Sequence, residues 1–271
     1  MSGRSSPATR ASILLGALLL TAACDKPGGG SGTRTPDRPI RVAAAADLGF
    51  AFKDLGAAYE KKTGQKVDFS FGSTGLLAKQ IAEGAPFDVF AAANVSFVDE
   101  AIKSGQCLAD TKERYAQGRI VVWTKDKTDK PPTLADLGQG RFAKIGVANP
   151  EHAPYGRAAR EALMATGQWD AVKPKAVYGE NVQQTLVYAQ TGNADASIVA
   201  LSLATVSGGS YSPIDPALHA PLDQALVVCK GGGHADRARG FVAFVGSPEG
   251  RAIMSRYGFL LPGESVTRSD P

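Results

Sequence analysis

The chain is poor in the residues that build metal sites and nucleophilic centres. Its three histidines, His152, His219 and His234, are scattered, and its three cysteines, Cys24, Cys107 and Cys229, form no CxxC pair. No spacing among them suggests a metal site. A G-x-S-x-G elbow and an ordered Ser/His/Asp set are also missing, so an enzymatic reading has little support. The adjacent Glu151-His152 pair invites acid–base chemistry but reads better as a surface turn. There is no block of like charge and no basic run with interleaved aromatics, which leaves nucleic-acid binding unsupported. What is present is ordinary for a soluble globular protein: 271 residues, 44% apolar and 21% charged. The net charge of +4 includes Arg4 and Arg10 near the start. The remainder is close to neutral, which argues against a large electrostatic funnel. Length alone allows one or two domains.

The start of the chain reads as an address. A basic opening, an apolar core from Ile13 to Leu20 and small residues before Cys24 fit a secretory signal, and the apolar run is too short to span a bilayer. LLLTAAC resembles a bacterial lipobox, with Thr21 where such boxes usually carry Leu, so Cys24 is expected to be lipidated. Asp25 behind it resembles an inner-membrane retention signal of some Gram-negative bacteria. DKPGGGSGTRTPDRP follows, free of large apolar residues, and is expected to be a flexible tether. Cys107 and Cys229 could pair in an exported compartment. Two cysteines this far apart carry no pairing information, and both are expected to be buried apolar residues.

From Ile40 onward strands and helices alternate. IRVAAAA is a short strand, and apolar positions at Leu48, Phe52, Leu55, Ala58 and Tyr59 predict a helix closed by Gly64, with Asp47 at its N-cap. Lys66 to Phe71 alternates as a strand, a Gly-Ser-Thr-Gly turn opens another helix, and a strand ends near Ala93. Ser96 to Ser104 is a helix, Gly118 to Thr124 a strand, and the Lys/Asp/Pro-rich loop from Lys125 to Pro132 the expected first crossing between two lobes. Further strands are expected at Lys144 to Ala148, Ala176 to Gly179, Ala196 to Ala200 and Leu222 to Lys230. Helices are expected from Gly156, from an Asn181 cap, and twice between Arg237 and Phe259. The pattern is α/β, with two lobes of mixed sheet flanked by helices. Residues 1–23 are assigned to a signal peptide, 24–38 to a lipid-anchored tether, 39–124 and 226–262 to lobe 1, 125–225 to lobe 2, and 263–271 to a tail.

Four strand-to-helix junctions carry small or polar residues: Ala46-Asp47, Ser73-Thr74, Pro154-Tyr155-Gly156 and Asn181-Val182. Ser and Thr at such places usually cap the helix. The first N–H groups of a helix also lack intrahelical partners and carry partial positive charge, which suits an anion. Ligands of open α/β sheets bind at the carboxyl ends of strands. Four such junctions converging on one crevice would make a site built from N–H groups.

The segments VAAAADL, FGSTGLLAKQIAEGAPFDVFAAA, GVANPEHAPYGRAA, YGENVQQTL, ADASIVALSLA and RYGF occur in order from about Ile40 to Phe259. In this the chain resembles the periplasmic molybdate-binding proteins of ABC uptake systems. The resemblance implies a type II periplasmic-binding-protein fold that closes over a tetrahedral oxyanion, molybdate or tungstate. The protein would act as a monomer, tethered to the membrane, and hand its cargo to a permease with ATPase subunits. No cofactor is implied, and molybdenum enters only as the bound oxyanion.

Position by position, the resemblance places ligand contacts at Asp47, Ser73, Thr74, near Tyr155, and at the Val182 N–H. A further contact, a Tyr hydroxyl in some members, falls on Ala200, which cannot supply it. Tyr155, where some members have Ala, is expected to offer its phenol in compensation, with Ala200 clearing space opposite. Asp47 stands where Ser or Asn is common. Its carboxylate is expected to turn onto its own helix as a cap and leave N–H groups facing the dianion, since like charges repel strongly at low dielectric. The alternative is that the ligand is not a simple dianion. Discrimination against protonated phosphate would come from a site of donors without acceptors. Rival readings are a binding protein of the same fold for sulfate, phosphate, ferric ion or an organic anion, and a ligand-sensing domain of a regulator.

Overall fold

The computed structural model describes residues 38–264. The assigned signal peptide, the tether up to residue 37, Cys24 and nearly all of the C-terminal tail lie outside the described residues.

Strand β1 (Ile40–Ala45) leads through a single 3-10 turn (Ala46–Leu48) into helix α1 (Ala51–Thr63), which ends where Gly64 takes a left-handed conformation at φ 74°. β2 (Val67–Gly72), α2 (Thr74–Ala82), β3 (Val89–Ala92) and α3 (Val95–Lys103) follow, then β4 (Glu113–Gly118). β10 (Leu222–Val228) returns to this group. The first sheet has the order β2-β1-β3-β10-β4, with β1 parallel to β2 and β3, and β10 antiparallel to β3 and β4. Its central strands are buried on both faces, which is why β1 and β3 read as mostly apolar runs without alternation. Phe52, Tyr59, Phe69 and Phe241 pack edge-on or tilted beneath it.

The second sheet repeats the plan with β5 (Ile120–Thr124), β6 (Ile145–Ala148), β7 (Ala176–Gly179), β8 (Ala196–Ala200) and β9 (Ser210–Pro213) in the order β7-β6-β8-β5-β9. Helices α4 (Pro154–Ala165), α5 (Trp169–Val172), α6 (Val182–Gln190) and α7 (Leu201–Ala204) belong to this part of the chain. Helices α8 (Ala235–Gly246) and α9 (Pro248–Arg256) close the first lobe. Both sheets are mixed and flanked by helices, as the α/β pattern predicted.

The lobe boundaries differ from the expected ones. Ile120–Thr124 pairs with β8 and β9, so it belongs to the second lobe. The crossing is the single residue Arg119 between β4 and β5, and the Lys125–Pro132 loop lies wholly within the second lobe. β10 pairs with β4 from Leu222, ahead of the expected return at 226. A crossing one residue long leaves no compositional mark, whereas a surface loop does. Pro154 likewise starts α4 at its first position, where its missing N–H costs nothing. Cys107 and Cys229 are buried as expected, but they are joined in a disulfide, which pins the segment after α3 to the end of β10. All five strands of the second lobe lie between these two cysteines.

Candidate functional site

One small cavity between the lobes gathers the chosen residues. From the first lobe come Ala45, Ala46 and Asp47 after β1, Gly72, Ser73 and Thr74 after β2, and Ala93 after β3. From the second come Ala153, Pro154 and Tyr155 at the start of α4, and Asn181 and Val182 at the start of α6. Asp47, Ser73, Thr74, Tyr155 and Val182 thus meet at a single place. Ala200, at the buried end of β8, does not line it. The free volume is about 10 Å³, the scale of one water, so the lobes are closed and must part for a ligand to enter.

Helix geometry supplies the donors. Thr74, Tyr155 and Val182 lie in the first turns of α2, α4 and α6, where N–H groups have no intrahelical acceptor. Asn181 caps α6 as predicted: its Oδ1 accepts from Gln183 N at 3.1 Å and Gln184 N at 3.0 Å, leaving Val182 N outside the cap. The Thr74 hydroxyl accepts from Ala93 N at 3.2 Å and keeps its own hydrogen to donate. Among the described residues, no lysine, arginine or histidine lines the cavity.

Ser73 holds the N-cap position of α2 without capping it. Its hydroxyl crosses the cleft, donating to the His152 carbonyl at 2.8 Å and lying 2.8 Å from His152 Nδ1. With the hydroxyl hydrogen given to the carbonyl, a bond to the ring requires Nδ1–H to donate. Gly75 N also donates to the His152 carbonyl, at 2.9 Å. His152, expected as half of a surface turn pair, is the second lobe's side of a closed seam. Nothing in its local sequence marks this, because the partner lies 79 residues away.

Asp47 corrects the expectation most sharply. It caps no helix. Its Oδ2 accepts from the Tyr155 hydroxyl at 2.9 Å and from Gln224 Nε2 at 2.6 Å, while Oδ1 is buried without a partner. Gln224 Nε2 also lies 3.2 Å from the Tyr155 oxygen, and Gln224 Oε1 accepts from the Tyr115 hydroxyl at 2.8 Å. The Tyr155 phenol is therefore committed to Asp47 instead of being offered to a ligand. Burial raises the Asp47 pKa to about 6, against the lowering effect of hydrogen bonds from Gln224, Tyr155 and, least of the three, its own backbone N–H. Asp47, which lines the cavity, thus brings a carboxyl group that can accept as well as donate, contrary to the expected set of donors only.

Gln224 and Tyr115 were not anticipated. Gln224 sits in β10 where the pairing with β4 slips a register, a bulge of the kind that re-aims a side chain. A polar residue within the apolar run Leu222–Val228 was the available signal. The Asp47 carbonyl also accepts from Ser202 at 2.8 Å, so both ends of Asp47 bind the second lobe.

Comparison with known proteins agrees with this architecture. Residues 40–260 match the family described as bacterial extracellular solute-binding protein. The chain is 33% identical to the molybdate-binding protein ModA of Rhodobacter capsulatus over 225 residues, covering 82% of this chain and 88% of that one. It is 34% identical to ModA of Azotobacter vinelandii over 230 residues, covering 82% and 90%. The solved structure of the Azotobacter vinelandii periplasmic molybdate-binding protein superposes with a TM-score of 0.76 at 28% identity, covering 82% of this chain and 99% of that one. These relatives are solute-binding proteins and not enzymes. From the length of the match and its fold, the chain belongs to the bacterial extracellular solute-binding protein family.

Proposed function

We propose that the chain is the capture component of an ABC importer for molybdate, with tungstate accepted alongside, and that it delivers the oxyanion to a permease driven by ATPase subunits. The observation that carries this reading is the convergence of three helix N-termini, from both lobes, on one small cavity without basic side chains. Such a site disperses the charge of an oxyanion over N–H dipoles and the Thr74 hydroxyl, and closure strengthens each bond by excluding water. It also permits release, because no fixed cation holds the ligand. Molybdate and tungstate are nearly alike in size and would share the site, while sulfate and phosphate would be separated by cavity size. The similarity to ModA proteins over most of the chain supports the same choice. Lipidation of Cys24 would keep the lobes near the membrane permease as a tethered monomer.

A second reading, a ligand that carries its own proton, is favoured by one observation: Asp47 lines the cavity and its buried Oδ1 has no partner. Calorimetric titration with molybdate, tungstate, sulfate and phosphate separates the two. Sub-micromolar binding of molybdate and tungstate alone is expected. A response to phosphate but not molybdate would replace the first reading with the second.

A further inference from the structure

We infer that the closed site holds one proton together with its oxyanion: Asp47 enters the bound state as a carboxylic acid whose Oδ1–H donates to a ligand oxygen. Capture then takes a proton from solution and release returns it. The inference rests on the oxyanion reading above.

The geometry fixes where the proton goes. Asp47 is 1% exposed, and two donors, Tyr155 O–H and Gln224 Nε2–H, already converge on Oδ2. Those donors are themselves held: Gln224 by the Tyr115 hydroxyl, and Tyr155 by its place in the first turn of α4. Hydrogen bonding thus runs one way, from Tyr115 through Gln224 to Oδ2, which makes Oδ2 the acceptor oxygen. Oδ1, the atom left over, has no partner, and Asp47 lines the cavity.

Four elements bring polar groups to Asp47 or to its partners. β4 contributes Tyr115, β10 Gln224, α4 Tyr155, and α7 the Ser202 hydroxyl, which reaches the Asp47 carbonyl. Across the cavity stand Ser73, with His152 behind it, Thr74 and Asn181. None of the cavity-lining side chains is a lysine or arginine that could neutralise a carboxylate. An oxyanion placed beside an ionised Oδ1 in this water-poor space would be repelled. Adding one proton removes the repulsion and creates a charge-assisted O–H···O⁻ bond in its place. The balance is simple: as the lobes close, the carboxylate takes H⁺ from solvent and the acid donates to the ligand, and opening reverses both steps. Burial already raises the acid to about 6, and a nearby dianion raises it further.

The test is titration of the protein with sodium molybdate at pH 7.5 in two buffers of different ionisation enthalpy. An uptake approaching one proton per site is expected, with affinity weakening about tenfold per pH unit above neutrality. Asp47→Asn is a permanent mimic of the acid, its amide oxygen facing Tyr155 and Gln224 and its NH₂ taking the place of Oδ1–H. Its binding is expected to be independent of pH and free of proton uptake. Wild-type binding without proton uptake would overturn the inference and leave the molybdate reading standing. No binding of molybdate by the wild-type protein anywhere from pH 5 to 8 would overturn both. The wild-type measurement decides the matter even if the variant does not fold.

Discussion

The buried carboxyl of Asp47 has a cost for the ligand-free protein that can be measured as pH-dependent stability. In the unfolded chain an Asp titrates at an ordinary 3.8, while in the folded protein Asp47 titrates at about 6. Between those values the native state binds the extra proton, so stability falls as pH rises. Below 3.8 both states are protonated and the group is neutral toward folding. Above 6 both are ionised and a protein that stays closed carries the full penalty, about 3 kcal/mol at 1.36 kcal/mol per pH unit, which parting of the lobes relieves. That is a large share of the roughly 5–15 kcal/mol that holds a typical domain together.

Asp47→Asn isolates this contribution. The amide can keep both hydrogen bonds to its oxygen, from Tyr155 and Gln224, and never ionises. Other carboxylates titrate over the same range, but they are common to both proteins and cancel in the difference. Urea unfolding of both proteins at pH 4, 5, 6 and 7 should show the stability of the variant relative to wild type rising by up to about 3 kcal/mol across the series. A difference that stays constant with pH would show that Asp47 is not held in the protonated direction by burial, and the reasoning would fail.

Three further perturbations probe separate parts of the molecule. In Gly75→Ala the added methyl would stand 2.7 Å from the His152 carbonyl oxygen and 3.1 Å from its Cα. Molybdate affinity should fall about tenfold or more as the seam between the lobes loses one or two hydrogen bonds, with thermal unfolding of the free protein unchanged or improved; unaltered affinity would show that the bound lobes do not meet there. Tyr155→Phe removes a donor from Oδ2 of Asp47, so the Asp47 carboxyl should titrate above about 6 by carbon-detected NMR. An unmoved or lower value would refute the assignment of that bond. Reduction, or Cys229→Ser, frees a bridge spanning 122 residues and should lower the unfolding free energy by about 2–5 kcal/mol in denaturant titrations, whereas no loss would show that the bridge adds nothing to the native balance.

Much of the fold was legible because its elements announce themselves locally. The largely apolar β1, β3 and β8, the left-handed Gly64 and the Asn181 cap each follow from neighbouring residues. The convergence of Asp47, Ser73, Thr74, Tyr155 and Val182 was readable too, since strand-to-helix junctions of parallel strands point to one end of a sheet. What stayed hidden depends on residues far apart in the chain. The Ser73–His152 seam joins positions 79 apart, and the Gln224–Asp47 bond joins positions 177 apart. The one-residue crossing at Arg119 escaped for a different reason: a single residue between two strands of different sheets leaves no loop signal in the sequence.

That crossing and the site are mechanically joined. Gly118, the last residue of β4, has no room for a side chain because the Tyr155 hydroxyl and Gln224 Nε2 press against the place where a Cβ would stand. The same hydroxyl and amide are the donors that hold Oδ2 of Asp47. Tyr155 rides on the second lobe, whereas Gly118, Gln224 and Asp47 belong to the first. Parting the lobes therefore pulls the Tyr155 donor away from Asp47 and leaves Gln224 in place. The carboxyl loses one hydrogen bond but regains water, and the regained water relieves the desolvation that is the larger of the two effects on its pKa. Opening thus returns Asp47 toward an ordinary ionised carboxylate, and closing raises its proton affinity. Lobe motion and protonation of Asp47 are two readings of one equilibrium, coupled through a phenol that bridges the hinge strand and the cavity wall.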